Sequence, residues 1–337
     1  LVRDGEDVRV LTEATAGGVT VQANGDAAIQ AQVAAVSAAA GVGLGGVSLA
    51  GAGADARNVI DTTLRAHVTD STVAAGGDIA VRADDTSAID AQVVAASASL
   101  GAGGVGVGLS VGASLAENRI GQGRGGAVEA FVTGSSLDAG RDVDVRATAD
   151  QSIRSEVDAG SVAIGLGGVG FAASGAGVDV TNSVAVAVRA YVTDTTGSGV
   201  QADGDVTVTA ADTTDITAQA RAVSVAASVG IAGGGSVSVG VALADNTIAN
   251  VVDAHLTRAT VAAEGSVTVE AREDASLDAR ARAGALAASY SPGFSLAGGG
   301  ASTDGTVATD TRARIVDSAV TTGADLGVSA AATVDVA

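Results

Sequence analysis

The chain has 337 residues, of which 47% are hydrophobic and 1% aromatic, with 48 glycines, one proline and no cysteine. With 38 acidic and 18 basic residues the net charge is −20, so the chain lacks the basic surface that nucleic-acid binding needs. The absence of cysteine excludes disulfide bonds and thiol chemistry. Many alanine and valine side chains with few aromatics predict strands around a narrow core.

A turn followed by a strand recurs about every sixty residues along the chain. Its four clearest copies span residues 77–83, 141–147, 204–210 and 265–271. Counted from strand start to strand start, the units begin near residues 19, 79, 143, 206, 267 and 326. Regular repetition on this scale predicts one continuous β repeat array over residues 1–337.

The unit that begins at residue 79 shows the elements in chain order. Residues 79–83 alternate apolar and polar side chains, which is the period of a strand. The polar stretch 84–87 interrupts this pattern, and apolar alternation then resumes. The glycine cluster 101–104 predicts a change of chain direction, and the run 105–118 alternates again. No stretch has a helical period, so the unit is predicted to be all-β.

The fold predicted from these units is a repetitive parallel β-solenoid, or β-helix, in the form of a rod. Sixty residues divide into about three coils, and a spacing of ~4.8 Å per coil gives about 14 Å per unit and roughly 70 Å for five units. The alternative is a stacked β-hairpin array, in which the two flanks of each glycine cluster pair with each other. The sequence leaves parallel and antiparallel strand order open. The residues predicted to line the interior are Val81, Ala83, Val145, Ala147, Val208, Ala210, Val269 and Ala271.

An asparagine recurs at one register, at Asn58, Asn118, Asn182 and Asn246, and Gly305 takes its place in the fifth unit. Asparagine and glycine both tolerate the left-handed backbone region. Stacked asparagines could instead form a hydrogen-bonded ladder, but Gly305 would interrupt one. We therefore predict that these residues occupy one structural position beside a bend.

Acidic residues recur in the turns, where Asp78, Asp142, Asp205 and Asp325 share a register and Ser266 is the exception. Carboxylate oxygens suit calcium, so Asp78, Asp142 and Asp205 are candidate cation contacts. A turn aspartate more commonly bonds its own backbone, which is the role we predict. No cofactor is predicted, and Ca²⁺ is the one ion to consider.

The two histidines, His67 and His255, share a register with Phe131, Tyr191 and Arg314. A position that accepts such different side chains is interpreted as a surface or rim position. By the rise predicted above, the two histidines lie about 40 Å apart and cannot share a metal ion. We predict no catalytic residue among them.

The phrase Ala-Gly-Gly-Asp-Ile-x-Val-x-Ala at residues 75–83 resembles the coil repeat of filamentous haemagglutinin-type adhesins. The longer unit, with its glycine-rich middle and its Asn-x-Ile phrase, is similar to repeats of giant leukotoxin-like bacterial surface adhesins. This resemblance covers nearly the whole chain, and its motifs are structural. It implies a structural or adhesive stalk or filament segment of a large secreted protein, extracellular at the bacterial cell surface. The implied partners are neighbouring repeats of the same chain and a host or biofilm surface.

The alternative function is a carbohydrate-processing β-helix enzyme. Such enzymes carry inserted loops, and the nearly constant unit length leaves no room for them, so we predict that the segment is not an enzyme. A uniform surface would favour the stalk and a deep cleft with clustered acids the enzyme. We expect the chain to be a piece of a longer protein, without a membrane span, that self-associates through the strand edges at its ends.

Overall fold

The computed structural model describes residues 7–8, 13–14, 17–121, 126–290 and 292–337, and all regular secondary structure among them is β-strand. The strands are β1 (Asp7–Val8), β2 (Glu13–Ala14), β3 (Val19–Ile60), β4 (Thr63–Thr69), β5 (Thr72–Ala75), β6 (Ile79–Ile120), β7 (Gly126–Thr133), β8 (Ser136–Ala139), β9 (Val143–Val184), β10 (Val186–Thr193), β11 (Val200–Ala202), β12 (Val206–Ile248), β13 (Val251–Thr257), β14 (Thr260–Ala263), β15 (Val267–Tyr290), β16 (Gly293–Val307), β17 (Asp310–Val316), β18 (Ala319–Thr322) and β19 (Leu326–Val336).

The strands form three parallel sheets, each of which takes one element from every successive unit. The long sheet holds β3, β6, β9, β12, β15, β16 and β19; the middle sheet holds β1, β4, β7, β10, β13 and β17; the short sheet holds β2, β5, β8, β11, β14 and β18. Neighbouring strands pair in parallel and in register, as in β6 with β9 and β9 with β12. The predicted parallel β-solenoid is therefore confirmed, and long strands begin at the six predicted unit starts.

Each unit makes one coil, so the prediction of three coils per unit was wrong. Val81 pairs with Val145, and Val145 pairs with Val208, so the chain returns to the same position only after a whole unit. The rise per unit is therefore ~4.8 Å, and five coils occupy roughly 24 Å along the axis instead of 70 Å. Side chains alternate with a period of two in every strand, whatever the length of the coil. The alternation in the sequence therefore could not reveal how many coils each unit makes.

The coil is elongated because its long strand folds back at the glycine cluster. In the second coil the outgoing leg, residues 79–103, faces the returning leg, residues 105–120, and Ser97 Oγ lies 2.7 Å from Ser110 Oγ. Both legs are paired through their backbones with the equivalent legs of adjacent coils. The hairpin alternative is therefore right about the path of the chain, which folds back at the glycine cluster. It is wrong about the backbone hydrogen bonds, which join adjacent coils and not the two legs of one coil. We call the far part of the folded strand, residues 93–116 in the second coil and their equivalents, the arm, and the rest of the coil the body.

The body encloses the main apolar core, to which the three sheets contribute side chains such as Ile79, Leu137 and Leu256. The eight residues predicted to line the interior are all 0% exposed, which confirms that prediction. The arm has a different interior made of alanine, serine and glycine, with a few valines. Its legs approach so closely that a Cβ on Gly101 or Gly165 would clash with the backbone of the facing leg.

The polar stretch 84–87 does not interrupt the strand as the sequence suggested. β6 continues through it, and Asp85 and Ser87 point inward with 3% and 0% of their surface exposed. In the fifth coil the arm is interrupted near the chain's one proline, Pro292, since β15 ends at Tyr290 and β16 begins at Gly293. Proline cannot donate a backbone hydrogen bond to a sheet.

Candidate functional site

The recurrent asparagines form a hydrogen-bonded ladder in the interior of the body. Asn58 Nδ2 donates to Asn118 Oδ1 at 2.7 Å, Asn118 Nδ2 to Asn182 Oδ1 at 2.9 Å, and Asn182 Nδ2 to Asn246 Oδ1 at 2.8 Å. The ladder ends where Gly305 takes the next rung, and there Asn246 Nδ2 has no hydrogen-bond partner. Each asparagine stands two residues before a corner or a strand end. None of the four has a positive φ, so the side-chain ladder that the sequence disfavoured, and not a left-handed backbone, is what the four share.

The left-handed position lies instead at the turn between the middle and short sheets. Asp70, Gly134, Asp194, Arg258 and Asp317 occupy it in successive coils, with φ between 46° and 60°. A non-glycine residue with such a φ is strained, so the surroundings must hold it. At Arg258 the backbone N donates to Val316 O of the next coil at 3.0 Å, and the guanidinium forms a bidentate pair with Asp194 of the preceding coil at 2.6 and 2.8 Å. The variety of residues at this position hid it from sequence reasoning.

The turn aspartates that were candidate cation contacts also form a column. Asp142 N lies 3.4 Å from Asp78 Oδ1, Asp205 N donates to Asp142 Oδ1 at 2.9 Å, and Ser266 N donates to Asp205 Oδ1 at 2.7 Å. These carboxylates therefore accept from the turn of the next coil, and not from their own turn as predicted. The three aspartates also line an open depression of about 270 Å³. In the described part of the chain, no three His, Asp or Glu side chains are grouped so that they could hold a metal ion.

The outer face of the middle sheet carries a column of alternating charge. Arg65, Glu129, Arg189, Asp253 and Arg312 are paired in successive coils. Glu129 lies between two arginines, with Arg65 Nε at 2.7 Å and a terminal nitrogen of Arg189 at 3.0 Å. Parallel in-register strands bring the side chains of equivalent positions into contact, so like charges in one column would repel each other. Here the sign alternates from coil to coil, and neighbouring side chains attract.

A stack of rings runs beside this charge column. His67, Phe131, Tyr191 and His255 are separated by centroid distances of 4.8, 4.9 and 5.0 Å, with interplanar angles of 5°, 2° and 3°. The histidines are thus three coils apart, roughly 15 Å, and the prediction of 40 Å was wrong because it assumed three coils per unit. They are still too distant to bind one metal ion together. The rings are half-buried on the outer face, which agrees with the predicted rim position.

The charge column alters the acidity of its neighbours. Burial and the Glu129 carboxylate raise the pKa of Tyr191 to about 12, against smaller opposing effects of Arg189 and Arg65. For Asp253, burial acts to raise the pKa, but His255, Arg314 and Arg189 together outweigh it and hold the pKa below its ordinary value. Arg314 donates to Asp253 Oδ2 at 2.9 Å. At neutral pH this face therefore carries an un-ionised tyrosine between fixed ion pairs.

A buried polar column inside the body was missed by sequence reasoning. Asp212 Oδ2 accepts hydrogen bonds from Asn250 Nδ2 at 2.7 Å and Thr214 Oγ1 at 3.0 Å, and Asp212 Oδ1 has no partner. Burial, and then the Glu273 carboxylate on the paired strand, raise the pKa of Asp212 to about 7. Burial also raises the pKa of Asp85, at the same register two coils away. The sequence did contain a signal for the inward orientation of Asp212. This residue lies four residues after the inward-facing Val208, and an alternation of period two places both on the same face of the strand.

A polar depression of about 300 Å³ lies on the outer face of the outgoing legs. Its lining comes from the first three coils: Gln30, Ala31, Gln32, Asp90, Gln92, Arg154 and Glu156. It is open to solvent, and none of these side chains comes from an inserted loop. The groups could hydrogen-bond a polar ligand, but they contain no nucleophile and base in hydrogen-bond contact.

In the described residues, the asparagines, the turn aspartates, the paired charges and the rings each form a column with one residue per coil. Family models, curated proteins and solved structures give no significant match to this chain. No helix that is long and apolar enough to cross a bilayer occurs in the described ranges, and residues 35–54 are part of β3. The arrangement offers repeated contacts along the solenoid axis, and it does not converge on one reacting centre.

Proposed function

We propose that this chain is a structural and adhesive segment, a stalk or filament module of a large secreted protein at a bacterial cell surface. The observation that carries the proposal is the arrangement of side chains in columns on a backbone whose strands pair in parallel and in register from coil to coil. In the ring column, histidine, phenylalanine, tyrosine and arginine replace one another in successive coils. A catalytic site needs one fixed reactive group in one setting, so this interchange supports a non-enzymatic role.

The single coil per unit changes the kind of module that we propose. At ~4.8 Å per unit the solenoid gains length slowly, and its cross-section is wide because every coil carries an arm. The segment therefore suits a broad filament better than a thin spacer. Neighbouring repeats of the same chain are its proposed partners along the axis.

The outer face of the middle sheet is the proposed adhesive surface toward a host or biofilm. It combines the charge column, the ring stack and a column of threonines at Thr69, Thr133, Thr193 and Thr257. Aromatic edges, hydroxyls and paired charges are the groups that bind polar surfaces such as glycans. The same contacts recur every ~4.8 Å, so weak binding at each coil adds up by multivalency.

Adhesion of protein-coated beads to biofilm polysaccharide tests this surface. The variant Tyr191→Ser with Phe131→Ser removes the centre of the ring stack and should lower bead retention. The control variant Thr213→Ala changes an exposed side chain of the outgoing leg and should retain beads like the unaltered chain. Equal retention by both variants would rule out the middle sheet as the adhesive face.

Two further measurements test the role itself. Antibody against this segment should label intact source cells, and labelling only after permeabilisation would contradict an extracellular location. Incubation with acidic and neutral polysaccharides should leave them intact. Reproducible cleavage that is abolished by Asp90→Asn or Glu156→Gln would establish the enzyme alternative at the polar depression.

A further inference from the structure

The arm contains two kinds of glycine that have different structural causes. At Gly108 and Gly112, on the inner side of the returning leg, a Cβ would meet a backbone carbonyl oxygen of the adjacent coil, so only glycine fits. On the outer side of the returning leg, two adjacent columns hold six glycines that have nothing within 4 Å of the position of a Cβ: Gly51, Gly53, Gly175, Gly177, Gly298 and Gly300. Glycine disfavours strands and is not needed at these six positions for the chain to fold. Within a strand it commonly marks a place where another backbone approaches closely.

The outer glycines alternate with bulky apolar residues from coil to coil. Val111 is paired with Gly51 on one side and Gly175 on the other, and Val239 with Gly175 and Gly298. Val111 and Val239 are 54% and 46% exposed. In this column the second and fourth coils therefore form ridges, and the first, third and fifth form grooves. Two ridges are about 9.6 Å apart, which is twice the spacing of parallel strands.

This ridged face carries no charge in a chain whose net charge is −20. The paired stretches 45–54, 105–114, 169–178, 233–242 and 293–301 contain no Asp, Glu, Lys or Arg, and Asp55 and Asp179 lie at the next position along the strand, where the face ends. Leu49, Leu109, Val237 and Leu296 extend the apolar surface in the adjacent column. Five coils and about nine residues along each strand give a face of roughly 700 Å², close to the ~800 Å² that each partner contributes to a standard interface.

We propose that this face binds the same face of a second copy of the chain. Ridges and grooves have equal spacing on one surface, so the surface is complementary to itself after a shift of one coil. A two-fold axis parallel to the strands and midway between two coils places Val111 of one copy over Gly175 of the other. Such an isologous contact uses the same patch twice and buries the exposed valines without burying a charge.

The proposed contact lies on the side of the solenoid and is separate from the strand edges at its ends. It joins two solenoids laterally, with the outer faces of their returning legs packed against each other. The proposed dimerisation is independent of the function proposed above, because it uses residues of the returning leg and none of the adhesive surface on the middle sheet.

Sedimentation equilibrium over a range of concentrations tests the proposal. The unaltered chain should form dimers, and Gly175→Leu should weaken dimerisation roughly tenfold or more by filling a groove. Val239→Glu should weaken it as well, by placing a charge in the apolar contact. The matched control is Gly284→Leu on the outgoing leg, where a Cβ also meets nothing within 4 Å, and it should leave dimerisation within about twofold of the unaltered chain.

The outcomes separate this contact from others. Thermal unfolding at low concentration should be similar for all four proteins, which shows that the variants are folded. A chain that stays monomeric up to about 100 μM would overturn the proposal, since a standard interface is tighter than that. Association that Gly175→Leu leaves unchanged would locate the contact at the strand edges. Flotation of the monomeric chain with phosphatidylcholine vesicles, lost in Val239→Glu, would show that lipid covers this face instead.

Discussion

The body and the arm are built from the same long strands, yet they place their bulky apolar side chains on opposite faces. In the body, Val145 points inward and Asp144 pairs outside with Arg82 at 2.8 Å. In the arm, Ser110 points inward with 1% of its surface exposed, while Val111 points outward with 54% exposed. The strand period is the same in both regions, but the polarity of its two faces is reversed.

The difference shows that two kinds of packing hold one coil. Burial of apolar side chains stabilises the body, as in an ordinary core. The arm depends on backbone pairing between coils, on close approach of its legs and on hydroxyl contacts such as that of Ser97 with Ser110. The bulky apolar side chains on its outer face, such as Val111 and Val239, contribute little in the isolated chain because they remain in water.

We expect the largest difference in stability between the two regions when a valine in each is replaced by aspartate. Val208→Asp buries a carboxylate at a fully buried body position and should reduce the free energy of unfolding by about 5 kcal/mol or more. Val239→Asp on the outer face of the arm should reduce it by less than about 1 kcal/mol. Chemical denaturation of both variants at low concentration measures the difference. Similar losses of unfolding free energy in the two variants would mean that Val239 is buried and that the outer face of the arm is not the solvent-exposed one.

The buried carboxylate of Asp212 provides a test within the body. Burial raises its pKa to about 7 in the folded chain, against an ordinary value of 3.8, so the folded state favours the protonated form. Stability is therefore lost as the pH rises from 4 through 7, in total by about 4 kcal/mol. Asp212→Asn should be more stable than the unaltered chain at pH 8 and should vary less with pH. Thermal melts from pH 4 to pH 8 check this, with the exposed Asp215→Asn as control.

The asparagine ladder should be less tolerant of substitution than an exposed asparagine. Asn182→Ala removes one rung and leaves Asn118, Ser155 and Asn246 without their shared partner. We expect a loss of about 2–3 kcal/mol, since buried polar groups left unpaired keep their desolvation cost. Asn24→Ala changes an exposed residue and should cost much less. Equal melting temperatures for the two variants would contradict the ladder.

Two glycines of the third coil sharpen the comparison within the arm. Gly165→Ala puts a Cβ against the carbonyl oxygen of Phe171 and should cost roughly 1–3 kcal/mol through a backbone shift. Gly175→Ala meets open space and should stabilise the strand by up to about 1 kcal/mol. Denaturation midpoints give both values. A loss at Gly175 as large as that at Gly165 would mean that the outer face is not free in the isolated chain.

The sequence predicted the strands and the inward-facing residues of the body because both depend on a local pattern. The phrase around Val81 returns with the same phase at Val145 and Val208, and paired residues share that phase. The number of coils per unit could not be predicted in this way. A strand at Val81 obeys the same alternation whether its neighbour lies twenty or sixty residues away, and only the pairing partner distinguishes the two.

The polarity of the arm and the asparagine ladder were also beyond a local pattern. Alternation defines two faces and does not say which one is inside, so Val111 and Ser110 could exchange roles on sequence grounds alone. The glycine at 305 argued against a ladder, but a ladder can end where the array of asparagines ends. The left-handed turn position at Asp70 was hidden because a main-chain hydrogen bond to the next coil, from Asp70 N to Thr133 O at 3.0 Å, and not the residue type, holds its backbone.

The pairing of every coil along three sheets has a mechanical consequence. Residues from Val206 to Ile248 are bonded to the third coil along nearly their whole length, and these bonds point along the axis. A force spread over the cross-section therefore loads all the bonds between two coils together, and they must rupture at once. A force applied to one end of the polypeptide instead peels a coil away one bond at a time. The strength of the solenoid thus depends on how evenly its attachments distribute tension.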